Sequence, residues 1–317
     1  MDPKTRAHAR RRSVAGAARA AATIALVAVR RLLPRSVAVR IAGCAGDIAA
    51  RLLRERRRTV LRNLAAIAPR ASDDERERLC RATFRNFAVC LTDVLSLPRL
   101  DLPAILGLVE PYGLEHLDEA RAAARGVVIV TPHLGNWDLA GAGVAALGLP
   151  VTAVVEQLDP RLDRLLARLR SATGLRILPL GGARAEVRQA LARNEIVALV
   201  SDRAIGKAGI AVPFSGGVRE VPTGPAKLAR SAQAPVVLGY VALAAPGAPK
   251  PYLAMLETIA SASDTAALTT EALTRRIASG LARAVERHPD QWFVFQPKWL
   301  PADPAGGQAA PGGSANV

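Results

Sequence analysis

GVVIVTPHLGNWDLAGA, residues 126–142, decides the fold. A β-branched run bounded by Gly126 and a Thr131-Pro132 turn reads as a short, fully buried strand of the kind found at the centre of parallel sheets. The chain turns at once, and Asn136, a good N-cap, opens an Ala/Leu/Gly-rich helix. His133 is thereby placed at the carboxyl end of a strand and Asp138 in the first helical turn. Ligands of open α/β sheets gather at such strand ends. An imidazole there accepts a proton at neutral pH, and a carboxylate beside it fixes the tautomer and steadies the imidazolium. The expected pairing is His133 with Asp138, and the first amides of the helix, near Gly135 and Asn136, are candidates to face an oxyanion or substrate. A histidine in a turn is also commonly structural, and an Asp in a first turn a simple dipole partner.

Outward from this stretch, the pattern alternates. Val151 to Glu156 is a second β-branched strand ending in the acid Glu156, a further candidate catalytic carboxylate or an ordinary strand-end acid. Arg161 to Ser171 reads as a basic amphipathic helix, Gly174 to Leu180 as a strand, Ala183 to Arg193 as a helix and Glu195 to Val200 as a fourth strand. Strands alternating with helices imply right-handed crossovers and a mainly parallel sheet flanked by helices, an α/β class. Asp202 and Arg203 follow the fourth strand directly and enter the same rim. Arg203 is suited to hold a phosphate bidentately, or to pair with Asp202 or Asp138. Ala204 to Gly217 reads as a Gly-rich loop that carries Lys207 and Phe214. Pro222 to Pro225 turns into a helix whose first amides, at Thr223 and Gly224, could meet a phosphate, a pantetheine or an oxyanion. Pro235 then opens another buried strand.

The N-terminal part differs in kind. The chain has 317 residues, half of them hydrophobic, and a net charge of +16. Sixteen Lys and Arg against three acids fall before Leu64, so the basicity is an N-terminal property. No aromatic residue precedes Phe84, which argues against a nucleic-acid module and favours an anionic membrane surface. Ala20 to Val29 is apolar with Arg19, Arg30 and Arg31 at its flanks, too short to span a bilayer, and reads as an interfacial helix with a signal peptide as the rival. Val37 to Ala68 continues helical and basic. Ser72 with Glu75 forms a capping signature for a helix carrying Leu79, Phe84, Phe87 and Leu91. The three cysteines, Cys44, Cys80 and Cys90, have no metal or disulfide spacing, and no metal site is expected. The organisation expected is a basic membrane-associating segment (1–69), an α/β domain (70–300) and a disordered Gly/Ala/Pro tail (301–317).

HLGNWD at 133–138 resembles the His-x4-Asp signature of the lipid A late acyltransferase and phosphatidylinositol mannoside acyltransferase family, itself similar to the glycerolipid acyltransferases. Arg57, Asn63 and Leu64 match a second block of that family. Gly224, Pro225, Leu228, Ala229, Ala234, Pro235, Val236 and Val237 match a third, and HPDQWFVFQPKWL at 288–300 is similar to its closing segment, to which no chemistry is assigned. The resemblance implies transfer of a fatty acyl chain from an acyl-CoA or acyl carrier protein thioester to a hydroxyl of a membrane glycolipid, at the cytoplasmic face of the inner membrane, without metal or resident cofactor. It implies His133 as base and Asp138 as its partner. Glu156 leans toward the phosphatidylinositol mannoside branch. The competing classes are a lipid esterase, for which the G-x-S-x-G elbow is absent, and a non-catalytic basic protein binding membrane or nucleic acid.

Overall fold

The computed structural model describes residues 33–300, apart from 158–159, 183, 206–208 and 297–298. The apolar Ala20–Val29 stretch, Lys207 and the 301–317 tail lie outside the described residues.

Three helices open the described chain: α1 (Arg35–Leu52), α2 (Arg54–Ile67) and α3 (Asp73–Val94). Ser72 caps α3, its hydroxyl accepting from the Glu75 amide, as the Ser-x-x-Glu spacing predicts. A short α4 (Leu102–Leu108), capped by Asp101, leads into edge strand β1 (Val109–Tyr112), and α5 (Leu114–Ala122) feeds β2 (Val127–Thr131). Then come α6 (Trp137–Ala146), β3 (Val151–Val155), α7 (Pro160–Ser171), β4 (Arg176–Pro179), α8 (Arg184–Ala192) and β5 (Ile196–Val200). The strands and helices read from the sequence between 126 and 200 are all present.

The seven-stranded sheet has the order β1-β9-β8-β2-β5-β3-β4, where β8 is Val236–Leu243 and β9 is Tyr252–Ala260. Strands β8, β2, β5, β3 and β4 run parallel, whereas β9 returns antiparallel beside β8 and carries β1 with it. Strand β2 is central and all five of its residues are buried. Val128 and Val130 join a core with α2, α8 and the C-terminal helices α9 (Gly224–Ala232) and α11 (Thr270–Arg287), α10 being Ala262–Ala267. Val127 and Ile129 face α5 on the other side. Both faces being covered explains why the strand reads as a continuous apolar run rather than an alternating one.

One expectation is overturned. The segment read as a Gly-rich loop holds an antiparallel hairpin, β6 (Gly209–Phe214) with β7 (Gly217–Pro222), in register from Gly209–Pro222 to Phe214–Gly217. Its alternation is real, with Val212, Phe214, Arg219 and Val221 inward, but the glycines, Pro213 and an inward-pointing arginine disguise it.

The N-terminal helices are built into the domain. Val60, Leu64 and Ile67 of α2 belong to the main core. Arg35 at the start of α1 grips Asp93 of α3 through two bonds of 3.0 and 2.7 Å, and the Tyr252 hydroxyl donates to the same carboxylate at 2.8 Å. Removing a buried acid from such a cluster strands its donors. Asp93→Ala is expected to lower stability by about 3 kcal/mol, measured by denaturant unfolding, with α1 becoming protease-sensitive first.

Candidate active site

Strands β2 and β5 are neighbours, with Thr131 opposite Val200. The Ser201 amide donates to the Thr131 carbonyl at 2.8 Å, so the pairing runs on past the strand ends. Two residues beyond each strand, His133 and Asp202 therefore come side by side. Nδ1 of His133 lies 2.6 Å from Asp202 Oδ1, and the His133 amide donates to Oδ2 at 3.0 Å. The Trp292 indole N–H donates to the same Oδ2 at 2.7 Å.

Asp202 has no solvent exposure at all. Burial alone would push its carboxyl up, yet His133, the Trp292 indole and the Arg219 guanidinium together hold it well below the usual carboxylate range. It is thus an acceptor only. Nδ1 of a neutral His133 must carry the proton, and the Nε2 lone pair is left for a substrate.

Behind the pair lies Arg219, with no exposure either. It donates to the Asp202 carbonyl at 3.4 Å, while its Nε and Nη1 have no hydrogen-bond partner. Its charge is held instead by rings: the guanidinium carbon lies 4.8 Å from the Trp292 centroid, 4.9 Å from Trp299 and 5.7 Å from Phe214. Burial pushes its pKa down, and Asp202 opposes this. The C-terminal segment that brings Trp292 and Trp299 is tied by Asn63, whose side chain donates to the Val294 carbonyl at 2.7 Å and accepts from the Trp299 indole at 2.8 Å.

Several sequence expectations need correction. The carboxylate on His133 is Asp202, not Asp138. Asp138 is in the first turn of α6, where the sequence puts it, but its carboxylate is taken by Arg170 of α7, with Nε at 2.5 Å. Glu156 does not bond His133; it pairs with Arg203 at 2.5 Å, and Arg203 also donates to Gln296 at 2.7 Å. Arg203 therefore meets neither Asp202 nor Asp138 through a side-chain bond. The amides proposed for an oxyanion are in use: Gly135 N–H donates to the Gln291 carbonyl at 2.9 Å and Asn136 N–H to Val241 at 2.7 Å. Asn136 is a buried N-cap, accepting from the Leu139 amide at 2.9 Å. Gly135 has φ +58, and a Cβ there would stand 2.0 Å from the Val241 carbonyl oxygen, so this glycine serves the turn. Thr223 and Gly224 line neither of the two cavities that open at His133.

The first of those cavities, about 760 Å³, lies between the sheet and helices α4 to α7. Ile129, Ala153, Ala198 and Gly239 floor it, Leu117, Leu139 and Gly143 roof it, and His133, Asp138, Glu156, Arg170 and Arg203 gather its polar groups. Trp137 stands edge-on to the His133 ring at 5.6 Å. The second cavity, about 630 Å³, lies between α1, α3 and the 293–296 segment, and His133 and Arg203 line it too. Sequence reasoning missed Arg170, Arg219 and Trp292. Arg170 lies in the helix read as basic and amphipathic and Trp292 in the closing segment, but the sequence assigns neither stretch this role.

In Asp202→Asn the amide turns a donor toward Nδ1 and moves the His133 proton to Nε2, so that Nε2 no longer has a free lone pair. Activity is expected to fall by about 10⁴-fold, with the circular dichroism spectrum retained. Because the Asp202 pKa is depressed by folding, its stabilisation is complete above the ordinary carboxylate value and is lost as pH falls. The stability gap between wild type and Asp202→Asn should therefore be full at neutral pH and narrow below about pH 4. Asp138→Asn and Arg170→Gln should each destabilise by about 3 kcal/mol. A double-mutant cycle should show the pair costing much less than their sum, since the second change removes a group already stranded.

A model of the family described as bacterial lipid A biosynthesis acyltransferase matches residues 7–301. A phosphatidylinositol mannoside acyltransferase of Mycolicibacterium smegmatis is 30% identical over 275 residues, covering 85% of this chain and 88% of the relative. One of Mycobacterium tuberculosis is 30% identical over 258 residues, covering 78% and 77%.

Proposed function

The chain belongs to the bacterial lipid A biosynthesis acyltransferase family and is a glycolipid acyltransferase, and from that premise we propose that it moves a fatty acyl chain from an acyl thioester to a hydroxyl of a phosphatidylinositol mannoside at a membrane surface. The observation that carries this reading is the apolar cavity of about 760 Å³ opening at a histidine whose Nε2 is left free by Asp202. A cavity of that size lined by aliphatic side chains suits a long hydrocarbon chain. The donor chain enters between the sheet and helices α4 to α7, and its thioester carbonyl stops at the mouth, beside His133.

His133 Nε2 takes the proton of the acceptor hydroxyl as its oxygen attacks the carbonyl carbon. The imidazolium is stabilised through Nδ1 by Asp202. Collapse of the tetrahedral adduct breaks the carbon–sulfur bond, the ester stays on the acceptor, and the thiolate leaves with the proton from Nε2. No covalent intermediate with the protein is needed, nor a metal or cofactor. Arg203, held at the mouth by Glu156 and Gln296, is the cation placed to meet negative charge on either substrate.

Membrane association is supported by α1. Val37, Ile41, Cys44, Ile48 and Leu52 follow one another at helical spacing, and all are exposed, Leu52 at 72% and Ile41 at 55%. An exposed aliphatic stripe bounded by Arg40, Arg51 and Arg54 has the character of a face that lies in an anionic interface. Among the described residues no helix is long and apolar enough to cross a membrane. The donor's carrier, coenzyme A or carrier protein, is anionic in both cases and would be drawn to the same basic side.

His133→Ala is expected to reduce transfer by about 10²- to 10⁴-fold, followed by radiolabelled thioester and thin-layer separation of the lipids. Unaltered turnover would remove the base. Gly143→Phe projects a ring into open space along the cavity, since nothing stands within 4 Å of a Cβ there. It should shift preference from long to short acyl donors, each excluded methylene costing about 0.8 kcal/mol, as read from kcat/KM across a chain-length series.

A further inference from the structure

The transfer reaction brings two lipids to one histidine, and the structure has two apolar cavities meeting there. His133 and Arg203 line both. The second, about 630 Å³, is bounded by Ala45 and Ala49 of α1, Phe87 and Ala88 of α3, and Phe293 and Phe295 of the C-terminal segment. We propose that this second cavity is the acceptor site, taking the sugar headgroup at its His133 end and the first part of one diacylglycerol chain at its α1 end. The proposal rests on the acyl-transfer reading and adds to it where the acceptor sits.

Three observations assign the cavities this way round. Arg203 and Gln296, bonded to each other at 2.7 Å, line the second cavity together with His133, so donors and acceptors of the kind that sugar hydroxyls and a phosphodiester need stand beside the base. Arg56 adds an exposed cation to the lining and donates to the Phe295 carbonyl at 2.6 Å. The outer end is aliphatic: Ile41 and Leu53 line the cavity and are also exposed. Ile41 belongs to the stripe on α1, so the cavity opens onto the very face argued above to lie in the membrane. The first cavity lacks that continuity with α1, being covered by α4 to α7 against the sheet. A donor chain arrives on a soluble carrier and must be taken wholly into protein, whereas an acceptor keeps one chain in the bilayer and needs only a passage from it. The cavity flanking the exposed helix therefore fits the acceptor.

The assignment separates two acceptor substrates that differ only in lipid. Ala88→Phe narrows the passage from the α3 side, and Ala45→Phe does so from the exposed side of α1, where tolerance is greater. Each is assayed with a diacyl phosphatidylinositol mannoside in mixed micelles and with the same headgroup after deacylation. The expected result is a fall of at least about tenfold in the ratio of kcat/KM for the diacyl acceptor to that for the deacylated one, carried by KM. A ratio equal to wild type in both folded variants overturns the proposal, and so does a rise in KM for the thioester alone, which would put the donor chain here. A second measurement needs no turnover. Vesicles containing phosphatidylinositol with a diazirine in one chain are irradiated with wild-type protein and the adducts mapped by mass spectrometry. Labels on α1 and α3 around Ala45 and Ala88 support the assignment. Labels confined to the first cavity, around Gly143 and Leu139, overturn it. If wild type transfers no acyl group to any mannoside, the functional reading fails by itself, and the labelling still decides whether this cavity takes a lipid chain.

Discussion

Everything at the site depends on a carboxylate kept ionised where water does not reach. Asp202 has no exposed surface, and an isolated charge in such a place would simply take up a proton. Three devices prevent it: the Trp292 indole and the His133 backbone amide donate to one oxygen, the His133 ring to the other, and Arg219 supplies a positive charge from behind. Arg219 is itself buried with two unpartnered nitrogens, so its own desolvation is borne by three aromatic faces. The result is a buried carboxylate and a buried guanidinium whose charges offset each other, without a direct side-chain bond, before any substrate arrives. When His133 gains a proton it becomes a second cation beside a carboxylate already preorganised to receive it.

The same arrangement accounts for how the chain closes on itself. Trp292 and Trp299 come from the last described segment, Asn63 from α2 and Arg219 from the hairpin, so the base of the site joins regions more than 200 residues apart. The Leu134–Trp292 bridge and the bond from the Phe293 amide to the His133 carbonyl at 2.7 Å set this segment alongside the His133 turn. Rings that would be ordinary core in another protein here fix the orientation of an acid and its counter-charge.

This explains which parts were legible in the sequence. Strand β2, the Asn136 cap and the succession of strands to β5 are local features, written in β-branching, turn residues and helical period, and the structure has them. The partner of His133 is not local. Asp138 is the nearest acid in sequence, but the first turn of α6 aims it at α7, where Arg170 meets it. Asp202 wins because β5 lies beside β2 in register, and strand order is a tertiary fact that neither pattern nor spacing encodes. The amides at Gly135 and Asn136 looked free for the same reason: their acceptors, the carbonyls of Gln291 and Val241, are supplied by strands and segments about 100 or more residues away. The hairpin was hidden because an inward arginine breaks the apolar alternation that marks a strand.

A base beside an activated acyl group faces a general difficulty, since water is a nucleophile of the same kind as a sugar hydroxyl and far more abundant. Here the surroundings of His133 work against it. Trp137 and Phe293 stand near one another with centroids 6.3 Å apart, Phe293 and Phe295 each meet Phe87 at 5.3 Å, and aliphatic walls extend away on both sides. A chain seated in each cavity would complete an apolar enclosure in which the hydroxyl delivered by the acceptor is the one held against Nε2. On that view transfer outruns hydrolysis because the lipids themselves exclude the water, and the hydrocarbon attached to the alcohol adds to the selectivity that polar groups such as Arg203 and Gln296 give at the headgroup.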